Sequence, residues 1–340
     1  MKLQRRIIFI IPYFGTLPKY FQLWLDSAEI NNDLADFYII TDQNLSNYRL
    51  PNNVYFNYQD FDSFKKKIQI NFNFKINLAH PYKLCDFKPA YGEIFNSIIK
   101  DYEFWGFCDV DVIFGRLKPF LEKYGLFDSY VDKIGCLGHL EIMRNTKIVN
   151  STYKKSKDDK MLDYKYVFSR PYSYLFDEQF SFNKLAIENN LKVETLLSGK
   201  ITPFADIYSY SFKFKRNFGD YNNVLQRCFL FDKKRGLQEH IWIEEGKSVR
   251  KIIQDCMYVH LQKRKMEYFN TINTGLYLIA PNYIQSIKSI SDFKTPKEKK
   301  FYGIAKKLRE YQKINTLGKF MHKITFKKFI KNNIVKEKKK

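Results

Sequence analysis

Two carboxylates, Asp109 and Asp111, interrupt an otherwise apolar run, Phe104-Trp-Gly-Phe-Cys-Asp-Val-Asp-Val-Ile-Phe-Gly115. An apolar run of this length reads as a buried strand, where a carboxylate is tolerated only when it is paired, hydrogen-bonded or metal-bound. At i and i+2 on a strand both side chains leave the same face, so their charges repel unless a cation lies between them. Hard divalent cations take oxygen ligands, usually one or two protein carboxylates plus substrate phosphates. The spacing therefore points to a metal–diphosphate site. The competing reading is a strand running into a polar turn with both Asp side chains solvated.

Other polar residues stand where they could serve such a site. Lys83, Asp86 and Lys88 lie in the block Pro81-Tyr-Lys-Leu-Cys-Asp-Phe-Lys-Pro-Ala-Tyr-Gly-Glu-Ile-Phe95, just ahead of the carboxylate strand. Helical spacing puts Lys83 and Asp86 on one face and Leu84, Phe87, Tyr91 and Phe95 in an apolar stripe, while Pro89 restricts where the helix begins. An acidic pair, Asp177 and Glu178, opens a helical pattern. Asp177 fits a helix N-cap, and either acid fits a catalytic acid or base facing an acceptor. Cys256-Met-Tyr-Val-His260 is a strand ending on a histidine, with Lys263 and Arg264 following. Imidazole completes a carboxylate metal site, and the cations suit a leaving diphosphate.

The elements that must position these residues are legible in order. Arg6-Ile-Ile-Phe-Ile-Ile-Pro12 reads as a fully buried parallel strand stopped by proline. A loop with Tyr13 and Gly15 follows, then a helix within residues 18–31, then a second buried strand, Phe37-Tyr-Ile-Ile-Thr-Asp42. Strand, loop, helix, strand opens an α/β nucleotide-binding unit, whose ligands bind beyond the carboxyl ends of the strands. Tyr13, Gly15 and Asp42 would sit there, the ring for stacking on a base and the acid for its polar edge or the ribose. Residues 54–57 read as a third strand and 61–70 as an amphipathic helix. Residues 133–144 form two short strands or a strand and a loop, 150–164 a lysine-rich exposed loop, and 191–197 and 226–232 further strands. Residues 205–223, rich in Tyr, Phe and Ser, could line an acceptor site.

At 340 residues with 45% hydrophobic content the chain has ample core for one large or two modest domains. The net charge of +22 would favour nucleic acid, but residues 294–340 hold +14 of it and leave only +8 for the first 293. No helix-turn-helix, RNA-recognition or zinc pattern appears, so no nucleic-acid partner is expected. Five cysteines without a C-x-x-C pair argue against a disulfide framework and fit a reducing cytoplasm. Residues 7–11 are too short for a signal-peptide core, and no apolar segment reaches membrane-span length.

In combination, the buried first strand with its aromatic loop, Lys83–Asp86–Lys88, Asp109-Val-Asp111, Asp177-Glu178 and His260 resemble the metal-dependent, nucleotide-sugar-using glycosyltransferases of the GT-A fold. The pattern K-x-x-D-x-K-P before D-x-D is similar to that of an uncharacterised bacterial glycosyltransferase-like family. It is also similar to the K-x-x-D-x-x-R block of capsular and mannosyl-type transferases, with Lys88 where those often carry Arg. The resemblance covers residues 5 to 265. It implies an α/β, Rossmann-like fold with a mixed, mainly parallel sheet flanked by helices, to which the sequence itself adds a basic C-terminal helical tail. The domain then spans 1–290, with a nucleotide half (1–115) and an acceptor half (116–290), and the tail spans 291–340.

The function implied is sugar transfer of the hexosyltransferase type, in synthesis of a bacterial surface polysaccharide such as capsule or lipopolysaccharide. The donor would be a nucleotide-diphosphate sugar, the acceptor a saccharide or lipid-linked saccharide, and the cofactor Mn²⁺ or Mg²⁺. Carried over, Asp109 faces ribose and metal, and Asp111 and His260 ligate the metal. Lys83 and Asp86 contact the donor, Lys263 meets its diphosphate, and Asp177 or Glu178 lies near the acceptor. Attack on the face opposite the leaving group would need one of those acids as base; attack on the same face would not. The tail sets Phe320, Ile324, Phe329 and Ile330 among lysines, a pattern that suits an anionic membrane surface or a disordered solubilising segment. Three other readings remain at this point: a sugar-phosphate transferase, a non-catalytic glycan-binding module, and a nucleic-acid binder.

Overall fold

The computed structural model describes residues 5–289 apart from 129, 157–158, 160–161, 198–201, 208–213, 216–223, 247, 263–265 and 270–273. By its internal contacts the chain divides into Met1–Lys288 and Ser289–Lys340. The expected basic tail, residues 291–340, lies outside the described residues.

The first strand, Ile7–Pro12, is an interior strand of a seven-stranded sheet, next to its central strand, Phe104–Cys108. It pairs in parallel with Ala35–Thr41 on one side and with Phe104–Cys108 on the other, and Val54–Tyr58 extends the first side in parallel. β-branched and aromatic runs without alternation make strands that are buried on both faces. Helix Phe21–Glu29 packs Phe21, Leu23, Trp24, Leu25 and Ala28 against one face. There Phe9 stacks on Phe37 at 5.1 Å, and Trp24 meets Phe37 edge-on at 5.6 Å. Helix Phe61–Gln69, capped by Asp60 accepting from Ser63 N, sends Phe64 and Ile68 into the core on the other face.

The chain runs from the first strand outward to one edge and then returns to its other side with Phe104–Cys108. That reversal makes a topological switch point, and in open α/β sheets the crevice beyond the strand ends there is the ligand-binding position. Tyr13 and Asp109 directly follow the ends of the two strands that flank it.

Beyond Phe104–Cys108 the sheet turns antiparallel through Leu140–Arg144 and Lys133–Ile134. Gly106 permits this, because a Cβ there would come within 2.4 Å of the Glu141 carbonyl oxygen. A four-stranded sheet sets Val112–Phe114, Tyr258–His260, Ala205–Ile207 and Phe214–Lys215 side by side. A six-stranded sheet is built on the hairpins Val224–Asp232, Gly236–Glu245 and Ser248–Asp255.

The expected mainly parallel sheet is thus confined to one part of the molecule. The strands Val224–Asp232, Gly236–Glu245 and Ser248–Asp255 follow one another closely in the chain, and such short connections can join only antiparallel strands. Two local expectations also change. Residues 81–99 form successive short turns rather than one helix, because Pro89 has no N–H for the turn before it. Residues 150–164 are no exposed loop throughout: helix Lys147–Ser151 and the turn Thr152–Lys154 bury Val149, Thr152 and Tyr153.

Candidate active site

The two central carboxylates do not sit on a strand. Asp109 follows Phe104–Cys108, Asp111 precedes Val112–Phe114, and the turn between the two strands carries both. The turn is fixed at several points: Asp109 N donates to His139 O at 3.0 Å, Leu261 N to Asp111 O at 2.9 Å, and Trp24 Nε1 to Asp109 O at 3.3 Å. Asp111 is buried, and Asp109 keeps 28% of its side chain exposed.

His260 ends the strand Tyr258–His260, which pairs with Val112–Phe114, and its Nε2 lies 3.6 Å from Asp111 Oδ1. Asp109, Asp111 and His260 each offer one ligand atom, all within 4.8 Å of one another. Two carboxylates and an imidazole are a donor set that a divalent cation of the Mn²⁺ or Mg²⁺ kind accepts, with sites left for water or phosphate. Burial works against a charged His260, but Asp111 and then Asp206 outweigh it and raise its pKa.

Lys88 joins this group to the acidic pair. Its ammonium lies 2.9 Å from Asp109 Oδ1 and 3.0 Å from Asp177 Oδ2, and it donates to Gly138 O at 2.7 Å. An ammonium has three N–H donors, and all three are spent here. Burial opposes the charge on Lys88, yet Asp109 and Asp177 hold its pKa well above the ordinary lysine value. Gly138 is required at this corner: its φ is +77°, and a Cβ would approach Asp177 Oδ2 to 2.8 Å.

Asp177 is not a helix cap. The helical segment begins after Glu178, with the irregular turn Gln179–Asn183 leading into Lys184–Glu188, and no side chain caps it. Instead Asp177 is buried against Lys88, with its Oδ1 free of any hydrogen bond. Burial, reinforced by Glu178, raises its carboxyl pKa well above the usual range despite Lys88. Glu178 is half-buried and reachable from solvent, and burial pushes its pKa up to about 7, against the pull of Lys88.

Lys83 and Asp86 occupy no part of the open site. Both are fully buried and pair at 2.5 Å, so direct contact with a donor does not fit their position. Lys83 also donates to Val167 O and Tyr172 O, and Asp86 accepts from Tyr174 N and Phe176 N. The pair acts by fixing the chain that leads into Asp177. Lys133 and Glu141 do the same for the opposite wall: they pair at 2.7 Å, and Glu141 accepts from Gly138 N at 3.1 Å.

Tyr13 is half-buried, its hydroxyl donating to Thr16 O at 2.8 Å. Its pKa is raised by burial, then by Asp111 and Asp109, which marks its nearness to the carboxylate turn. Gly15 has a φ of +146° and open space where a Cβ would point. Asp42 stands just past Ala35–Thr41, accepting from Gln43 Nε2 at 2.8 Å. Lys263 lies outside the described residues.

Two residues of the cluster were not marked as ligands by the sequence. Asp206 pairs in register with His260 across parallel strands, its Oδ1 3.2 Å from His260 Nδ1. Burial raises its pKa, but His260 outweighs that and lowers it. His139 lies with its ring centre 4.3 Å from that of His260, and burial followed by His260 brings its pKa down to about 3. For Asp206 the available signal was an acid inside the apolar run Phe204-Ala-Asp-Ile207, the same cue that marks Asp109.

The molecule is therefore a mixed α/β protein with a cluster of carboxylates and histidines at the switch point of its sheet. Residues 9–288 match the model of the "Family of unknown function (DUF6625)", and the chain belongs to that family. No curated protein matches the sequence. Among solved structures it is similar to apo mouse xyloside xylosyltransferase 1, with 7% identity and a TM-score of 0.34 over 60% of this chain and 87% of that one. It is also similar to the galactosyltransferase LgtC in complex with donor and acceptor sugar analogues, with 10% identity and a TM-score of 0.30 over 60% of this chain and 76% of that one. At these scores neither likeness carries weight for fold or activity. No helix among the described residues is long and apolar enough to cross a membrane.

Proposed function

We propose that the protein is a metal-dependent glycosyltransferase that moves a sugar from a nucleotide-diphosphate donor to a saccharide acceptor, free or lipid-linked. The observation that carries this reading is the meeting of Asp109, Asp111 and His260 with the Lys88-linked pair Asp177 and Glu178 at the switch point. A divalent cation held by the first three residues supplies positive charge where a diphosphate leaves. Tyr13 offers its ring to the base, and Lys263 is assigned to the diphosphate. Lys88 holds Asp109 and Asp177 at a fixed spacing, so the donor and acceptor sides of the site keep their relative position.

The transfer breaks the bond between the anomeric carbon and the β-phosphate oxygen and forms one to the acceptor oxygen. Glu178, with a pKa of about 7, is assigned as the group that takes the acceptor hydroxyl's proton. The smaller product is then a nucleoside diphosphate.

That product separates this reading from the nearest alternative. A sugar-phosphate transferase on the same site would leave a nucleoside monophosphate. The test is to incubate the full chain with Mn²⁺, nucleotide sugars and an acceptor extract, and to identify the nucleotide by ion-exchange chromatography. Acceptor-dependent release of nucleoside diphosphate is expected; nucleoside monophosphate, or no release with any donor, overturns the proposal. We further assign residues 294–340 to docking on an anionic membrane surface, which unchanged liposome binding after their deletion would refute.

A further inference from the structure

Assigning Asp109, Asp111 and His260 to one cation leaves His139 and Asp206 unexplained. His139 is 4% exposed, and neither of its ring nitrogens has a hydrogen-bond partner. A buried polar group in that condition is destabilising, so an imidazole in place of Phe here needs a reason. Asp206 Oδ1 and His260 Nδ1 pair at 3.2 Å, a spacing that two ligands of one ion also have. The geometry fits three donors that face a common space. His139, Asp206 and His260 each offer one ligand atom to that space, all within 4.8 Å of one another.

The ring centres of His139 and His260 are 4.3 Å apart with the planes 26° from parallel, so the two imidazoles lie side by side at the cluster. Gln262 Nε2 holds the other oxygen of Asp206 at 2.9 Å, the kind of outer bond that orients a ligating carboxylate.

We propose that His139, Asp206 and His260 form a second divalent-cation position beside the Asp109–Asp111 one, and that it takes a nitrogen-preferring ion of the Zn²⁺ kind. The two positions differ in chemistry. One has two carboxylates and one imidazole, a set for hard cations; the other has two imidazoles and one carboxylate, a set that zinc accepts. They share His260, whose Nε2 faces Asp111 and whose Nδ1 faces Asp206. A neutral imidazole has a single lone pair, so His260 serves one ion at a time. Zinc in the second position therefore withdraws a ligand from the first and lowers its hold on Mn²⁺.

This inference rests on three side chains and goes beyond the transferase reading, and either can fail without the other. Chelator-stripped full-length protein is titrated with Zn²⁺ against a chromophoric indicator and, separately, with Mn²⁺ followed by electron paramagnetic resonance. No nucleotide is added. The variants are His139→Phe, Asp206→Asn and the double variant Asp109→Asn/Asp111→Asn, each checked for a native melting profile.

His139→Phe should weaken zinc by about 30-fold or more while holding Mn²⁺ affinity within about threefold. The double variant should show the reverse, and Zn²⁺ should release Mn²⁺ from the wild type. If His139→Phe does not fold, Asp206→Asn carries the same zinc comparison. Zinc affinity unchanged in the folded variants of this pair, which would point to the cysteines, overturns the proposal. Zinc binding lost in the double variant, or absent from the wild type, also overturns it.

Discussion

Lys83 and Lys88 stand five residues apart, each with its ammonium saturated, Lys83 by one carboxylate and two carbonyl groups and Lys88 by two carboxylates and one carbonyl, yet they do different work. Around Lys83 everything closes: Asp86 is fully buried and both its oxygens accept from backbone N–H groups of residues 174 and 176. Around Lys88 the carboxylates stay partly open: Asp109 keeps 28% of its side chain exposed, and Asp177 Oδ1 has no hydrogen bond. Burial of a lysine therefore does not separate structure from function here. What separates them is whether the acid it neutralises has oxygen left over for something else.

Breaking each pair should give opposite patterns. Lys83→Met leaves Asp86 buried and uncompensated, which costs about 3–5 kcal/mol. Chemical denaturation should register that loss, with activity falling only as the folded fraction falls. Lys88→Met should cost less stability, about 1–3 kcal/mol. In folded protein it should lower turnover by about 100-fold, because Asp109 and Asp177 lose their fixed spacing. Equal stability losses with turnover intact would erase the distinction drawn between the two lysines.

Glu178→Gln sharpens the comparison at the acidic pair. As a base, Glu178 must be ionised, so turnover should rise with pH through about 7 in the wild type. The variant should lose about 100-fold at pH 8 and show no such rise. The sign for stability is opposite: the folded state holds this proton more tightly than the unfolded chain does. The contribution is thus full below pH 4.5 and lost as the pH climbs through about 7. Denaturation of Glu178→Gln across that window should lack this decline.

The smallest effect concerns Tyr13. Tyr13→Ala should weaken nucleotide binding about tenfold by removing a stacking surface, while Tyr13→Phe stays within about threefold. Calorimetry on the two variants decides between the ring and the hydroxyl.

Much of the parallel half of the sheet and of the carboxylate turn was legible because it is local. Runs of β-branched and aromatic residues mark Ile7–Pro12 and, as residues 37–42, most of Ala35–Thr41, and acids inside an apolar run mark Asp109 and Asp111. Pro89 was read as restricting where a helix begins, but the separate short turns of residues 81–99 were not foreseen. The rest depends on register between distant strands. Nothing near Asp206 in the chain reveals that it faces His260, since only the pairing of Ala205–Ile207 with Tyr258–His260 brings them together. Of the six-stranded sheet only residues 226–232 were read as a strand, because each hairpin partner gains its meaning from the next.

The central claim is that Asp109, Asp111 and His260 hold a cation that in turn holds a nucleotide diphosphate. The direct measurement is the melting temperature of wild type and Asp111→Asn with UDP-, GDP-, CMP- and TDP-linked sugars, each with and without Mn²⁺. One nucleotide class should raise the wild-type melting temperature by about 3–8 °C only when Mn²⁺ is present, and Asp111→Asn should lose that rise. A rise that ignores Mn²⁺ or survives in Asp111→Asn, or no rise with any nucleotide, would contradict the account and return the two carboxylates to an ordinary turn.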